Sequence, residues 1–138
     1  MREVEQKNYT YGNDKYVSIF VGNCKSQELL NEYMKKDYEL LEADCIGSEF
    51  GVDFGVNTYD EDVFVAVVNI LPSKSIEEIF IQADIFDIEK LKGSYPNGLD
   101  DFYNTAIVVG KLKYEGDIKE IQNDEFGCFK FLATFPEE

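Results

Sequence analysis

Residues 62–70 read DVFVAVVNI, and every side chain from Val63 to Val68 is apolar. The run is far short of the roughly 20 apolar residues that cross a bilayer. It is rich in the β-branched and aromatic types that pack on a pleated surface. An unbroken apolar run of this length predicts a strand covered on both faces, in the middle of a sheet with neighbours on either side. The rest of the chain must then supply further strands, and helices to cover them.

Several segments answer that requirement. In YVSIFVG (16–22), Val17, Ile19 and Val21 alternate with Tyr16, Ser18 and Phe20, which predicts a second strand with both faces largely covered, ended by Gly22-Asn23. SQELLNEYMKK (26–36) carries Leu29, Leu30, Tyr33 and Met34 on one helical stripe, with Ser26 as cap and lysines in the last turn. DYELLEADCIG (37–47) reads as irregular or extended, and SEFGVDFG (48–55) suits one or two helical turns with Phe50 and Phe54 on one side and Gly55 closing them. SKSIEEIFIQADIF (73–86) has a capping box from Ser75 to Glu78 and an apolar stripe of Ile76, Ile79, Phe80 and Ala83, predicting a second helix. Gly93, Pro96, Asn97 and Gly98 mark a loop. YNTAIVVGKLKY (103–114) and FGCFKFLATF (126–135) are strands, joined through EGDIKEIQND (115–124) as a long connection holding at most a little structure.

The order strand-helix-strand-helix-strand-strand predicts a two-layer α+β domain, a mainly antiparallel sheet with helices on one face. A length of 138 residues suits a single domain over 1–138, with residues 1–13 expected as a flexible or loosely packed N-terminus. The composition, 44% hydrophobic and 14% aromatic, provides a full core despite a net charge of -15.

The residue types present restrict the chemistry. No His occurs, so Ser-His-Asp and Cys-His machinery is excluded and the usual zinc motifs cannot be assembled. Cys24, Cys45 and Cys128 lack C-x-x-C spacing and are expected as buried free thiols. Asp60, Glu61 and Asp62 are the densest carboxylates, but consecutive residues leading into a strand point to opposite faces and cannot all meet one metal or substrate. Phosphate-binding glycine patterns are missing. The chain is therefore expected to be no enzyme and to need no cofactor or metal. The first fifteen residues lack the apolar core of a secretory signal, so a cytoplasmic protein is expected, with no membrane association.

The acid excess has a place. Residues 26–62 contain eleven acidic and two basic side chains, a net of -9. Such a field repels nucleic acid and draws basic proteins. The expected partner-binding residues are Asp37, Tyr38, Glu39, Glu42, Asp44, Glu49, Asp53, Tyr59, Asp60 and Glu61, acids around aromatic anchors, with Phe50, Phe54 and Gly55 as structural support beneath them. An alternative is that the acid serves solubility in a non-catalytic scaffold or adaptor. The oligomeric state is left open.

YVSIFVGN, SQELLNEYM, SEFGVDFGV followed by YDEDVFVA, SKSIEEI, YNTAIVV and YEGDIKEI occur in an order and spacing that resembles the bacterial immunity protein 22 family, over roughly residues 14–134. Phe20 stands where that family often has Trp. The resemblance implies a small cytoplasmic protein that protects against polymorphic or contact-dependent toxins by binding a cognate toxin, often a nuclease and then basic. It carries over no catalytic residues. Glu49, Phe50, Asp53, Phe54 and Gly55 fall on the family's SEF...DFG segment, and Tyr59 to Asp62 on its acidic approach to the strand.

Overall fold

The computed structural model describes residues 3–5 and 12–136. Strands β1 (Gly12–Cys24), β2 (Phe64–Ser73), β3 (Tyr103–Leu112), β4 (Glu120–Asn123) and β5 (Gly127–Pro136) form one antiparallel sheet in the order β2-β3-β1-β5-β4. With them go α1 (Gln27–Met34), α2 (Tyr38–Glu42), α3 (Glu49–Phe54), α4 (Ile76–Ile79) and α5 (Ile88–Ser94), an α+β fold with an antiparallel sheet as the sequence predicts. The loose N-terminus expected at 1–13 falls mostly outside the described residues. Within them, Glu5 bridges to Cys45, the Ile46 amide donates to the Val4 carbonyl at 2.7 Å, and Gly12 already belongs to β1.

The unbroken apolar run forms β2, yet at the edge of the sheet and not in its middle. Covering two faces and pairing two edges are separate requirements, and β2 meets only the first. Phe64, Ala66 and Val68 pack on one core and Val65 on the other, all half-buried, while among the described residues β3 alone pairs with the strand. The outer edge meets a side chain instead: the Gln27 amide donates to the Ala66 carbonyl and accepts from the Val68 amide, both at 2.8 Å. The central place belongs to β1, between β3 and β5.

The helices flank both faces of the sheet, not one. Side chains alternate along β1, so Val17, Ile19 and Val21 join a core with Ile76, Ile79 and Phe80 around α4 and Leu91 of α5. Phe20 turns the other way, into a core with Leu30, Tyr33 and Met34 of α1 and Phe50 and Phe54 of α3. A bulge in β5 between the partners of Ile19 and Phe20 puts Leu132 and Ala133 against the first of these cores and Phe131 against the second.

Among the described residues, each α-helix starts on a Ser or Asp whose side chain accepts from a backbone amide two or three residues further on: Ser26, Asp37, Ser48, Ser75 and Asp87. The stripe Ile76, Ile79, Phe80 and Ala83 is buried as predicted, but the helix stops after one turn, where Asn69 donates to the Ile79 carbonyl at 2.8 Å. The segments 37–47 and 88–94 each hold an unforeseen helix, and β4 is the little structure in the 115–124 connection. Of the three free thiols only Cys24 is buried; Cys128 is exposed, because its strand pairs at the sheet's β4 side with alternate residues outward.

Phe20 is the hub of the aromatic core, with ring centroids 5.0 Å from both Phe50 and Phe54, 5.3 Å from Phe131 and 5.6 Å from Tyr114. Beside it the buried Ser18 hydroxyl donates to the Leu112 carbonyl at 2.7 Å, accepts from the Tyr114 amide at 2.9 Å, and lies 3.1 Å from the Thr134 hydroxyl. One side chain thus ties β1 to the end of β3 and to β5.

Phe20→Ala should cost about 3–5 kcal/mol in urea unfolding, the range for emptying a large aromatic site in a packed core. Ile19→Asp, at the sheet centre, should destabilise more than Val65→Asp at the half-buried edge. Equal losses for the two would contradict the edge position of β2. Burial holds the Tyr114 hydroxyl, which donates to the Ile118 carbonyl at 2.7 Å, up to about 12. A folded-state pKa above the unfolded value of roughly 10 means stability that is complete below pH ~10 and lost as pH rises through the folded value. Tyr114→Phe should therefore flatten the fall in melting temperature between pH 10 and 12.

Candidate protein-binding face

The chain from Asp37 to Asp62 is built from three short turns of helix in which acids cap and shield the backbone. Asp37 accepts from the Glu39 and Leu40 amides at 3.0 and 3.2 Å, and Asp60 accepts from the Asp62 amide at 2.9 Å to open a single 3-10 turn, Glu61–Val63. Glu39, Glu49, Glu61 and Asp62 stand in first turns, where the helix dipole favours negative charge. The end of α2 is a Schellman arrangement: the Cys45 amide donates to the Leu40 carbonyl and the Asp44 amide to the Leu41 carbonyl, with Asp44 at φ 58 in the left-handed position usually given to Gly. At the end of α3 that position is held by Gly55, φ 71. Gly51, inside α3, lies so close to the Val56 carbonyl that a Cβ would meet it at 2.5 Å.

Two expected contact residues are not on the surface. Tyr59 is 4% exposed, its hydroxyl donating to the Met34 carbonyl and its ring edge-on to Phe50 and Phe64 at 5.5 and 5.4 Å, so it is a core residue and no anchor. Burial raises its pKa well above that of a free tyrosine. Asp53 is 7% exposed and accepts from the Tyr33 hydroxyl at 2.7 Å and the Asn123 amide at 2.9 Å, joining α1, α3 and β4. The apolar neighbours of both residues could not be read from charge alone. Phe50 and Phe54, expected as structural support, are fully buried core residues of α3.

The other residues divide. Asp37, Glu49 and Asp60 are half-buried, while Tyr38, Glu39, Glu42, Asp44 and Glu61 are exposed. Tyr38 is 52% exposed. A hydrogen bond to the Glu61 carboxylate, with the charges of Asp62 and Asp60 nearby, holds the Tyr38 hydroxyl above its ordinary pKa. Glu42 lies one turn further along the same face of α2. An open groove of about 570 Å³ runs beside them, lined by Met34, Lys35, Lys36, Tyr38, Glu61 and Phe64. Two lysines complete the face, one of them from outside the acidic stretch. Lys36 donates to the Tyr59 carbonyl at 2.7 Å and sits 5.4 Å from the Tyr38 ring centre. Lys111, left-handed at φ 54, reaches Asp60 at 3.5 Å; the Asp62 amide, helped by this lysine, keeps that carboxyl below its usual range. Among the described residues, no lysine ion-pairs with Glu39, Glu42, Asp44, Glu61 or Asp62, so these remain as outward charge.

This arrangement supplies an exposed aromatic ring, outward carboxylates and an apolar groove floor. No three His, Cys, Asp or Glu side chains among the described residues converge as a metal site, and no helix among them is long and apolar enough to cross a membrane. The family described as Immunity protein 22 matches residues 17–137. The chain belongs to the immunity protein 22 family. No curated protein and no solved structure matches it. The match begins at Val17 on the central strand and takes in every helix and strand that follows.

In this immunity protein Asp44 tests the division between structural and outward acid. Asp44→Gly should raise stability by roughly 0.5–1 kcal/mol, since relief of a left-handed side chain, about 1–2 kcal/mol, outweighs the added freedom of the unfolded chain, about 0.4–1 kcal/mol. Thermal melting checks it, and a loss of stability would show that the Asp44 carboxylate holds the turn.

Proposed function

We propose that this immunity protein neutralises a cognate toxin in the cytoplasm by binding it, without turnover, through the face formed by Tyr38, Glu39, Glu42, Glu61 and Asp62. The observation that carries the reading is the exposed Tyr38 ring beside an apolar groove, near carboxylates that no lysine among the described residues pairs with. Rigid aromatic side chains supply contact area at small entropic cost, and surrounding charge speeds encounter. The toxin is basic on its matching face, as a nuclease must be to hold phosphates, and is delivered by a kin cell in a contact-dependent or related polymorphic system. Asp37 and Asp60 shape the face by capping its turns, and Tyr59 and Asp53 support it from inside.

The partner to test is the toxin domain encoded by the adjacent gene. Co-purification comes first, and failure to bind would return the acid to solubility in an adaptor or scaffold. Given binding, the Glu61→Lys, Asp62→Lys double variant should slow association about tenfold at low salt, with a loss that shrinks as salt rises. Tyr38→Ala should act on dissociation, speeding it by one to two orders of magnitude while leaving the association rate within about threefold. Unchanged kinetics in both variants would move the binding face elsewhere.

A further inference from the structure

β2 is the longest uncharged stretch of a chain that carries a net charge of -15: no charged residue occurs from Val63 to Ser73. It is also an edge strand, paired on one side by β3. Hydrogen-bonding groups of successive residues in a strand point to opposite sides, and Ala66 and Val68 are shown to turn outward by their bonds to Gln27. The Gln27 amide occupies the place of a peptide unit from a neighbouring strand, with one donor and one acceptor each at 2.8 Å. It is half-buried and is steadied by a bond to Asn31 at 2.9 Å. This amide answers two outward groups of a ten-residue strand.

Beyond Val68 the strand leaves its partner, and pairing resumes only at Ser73 with Tyr103. In that interval Ile70 is 98% exposed and Leu71 76% exposed. Exposed apolar side chains on an open edge are a template for another chain. The opposite end of the strand runs straight into Glu61 and Asp62, next to Tyr38.

We propose that the β2 edge receives an extended segment of the toxin as a sixth strand, apolar where it passes Ile70 and Leu71 and basic where it passes Asp62 and Glu61. This rests on the toxin-binding reading above and extends the contact from the acidic face along the sheet edge. Main-chain hydrogen bonds then provide a share of the affinity that does not depend on matching side chains, and the two ends of the strand set the orientation of the incoming segment through charge complementarity. Gln27 holds the edge closed to other strands until the segment displaces it.

The test is amide hydrogen exchange on the whole chain, alone and with the toxin domain from the adjacent gene. Exchange over residues 64–72 should slow at least tenfold in the complex. A second reading comes from Ala66→Pro, which removes an outward N–H while keeping the pairing with β3 and both groups that Gln27 uses, since proline is tolerated where an edge strand's N–H faces outward. Affinity for the toxin should fall at least tenfold, with the melting temperature of the free variant as the folding control. A complex that forms normally, protects residues 37–62 and leaves 64–72 unchanged would overturn the strand proposal and keep the toxin-binding reading. Absence of any complex would overturn both. Protection of 64–72 that grows with the concentration of the immunity protein alone would assign the edge to a second copy and overturn the proposal as well.

Discussion

The fold depends on one residue's packing in the central strand. Phe20 is fully buried and meets two rings of α3, one ring from the segment after β3 and one from β5. Edge-on and tilted contacts of this kind hold a fixed geometry in addition to excluding water. Because α3 also positions Ser48, Gly55 and the turn to Tyr59, the placement of the acidic stretch follows from the seat of Phe20. A larger aromatic at this point would ask for a smaller neighbour among those four rings.

Acid in residues 37–62 serves two ends at once. Asp37 and Asp60 close helix starts, Asp53 joins three elements from inside, and only part of the stretch faces solvent. Capping acids answer backbone amides and cannot be exchanged for lysine without loss of the turn they hold. Outward acids such as Glu42 and Glu61 have no such duty. On the binding reading proposed above, a change of partner alters the second group while the first keeps the surface in place.

Much of this architecture was legible in the sequence. Ser26 marked the start of α1 and Gly55 the end of α3, and the alternation in 16–22 marked a strand covered on both faces. The apolar run of β2 misled because periodicity reports what lies above and below a strand, and says nothing of what lies beside it; the answer was a glutamine side chain 41 positions away from Val68. The single helical layer failed for a related reason, since the same alternation in β1 that predicted a strand also required cover on both sides. α5 was hidden because Gly93 and Pro96 suggest a loop, whereas Asp87 and the buried Leu91 decide the local structure. Within the site, exposure was the unreadable quantity: Tyr38 and Tyr59 sit in similar acidic surroundings, and only the core contacts of Tyr59 separate them.

The strand order bears on when protection begins. β1 is made first yet pairs only with β3 and β5, so its register waits for residues 103–112 and 127–136 to leave the ribosome. Contacts that span some 90 to 115 positions are slow to close and leave apolar edges bare meanwhile. The Ser18 hydroxyl has no Leu112 or Thr134 partner until then, and Phe20 lacks two of its four rings. An unfinished chain therefore offers a cell no partial shield. On the toxin-binding reading proposed above, the face that meets the partner is complete only once β5 has been translated.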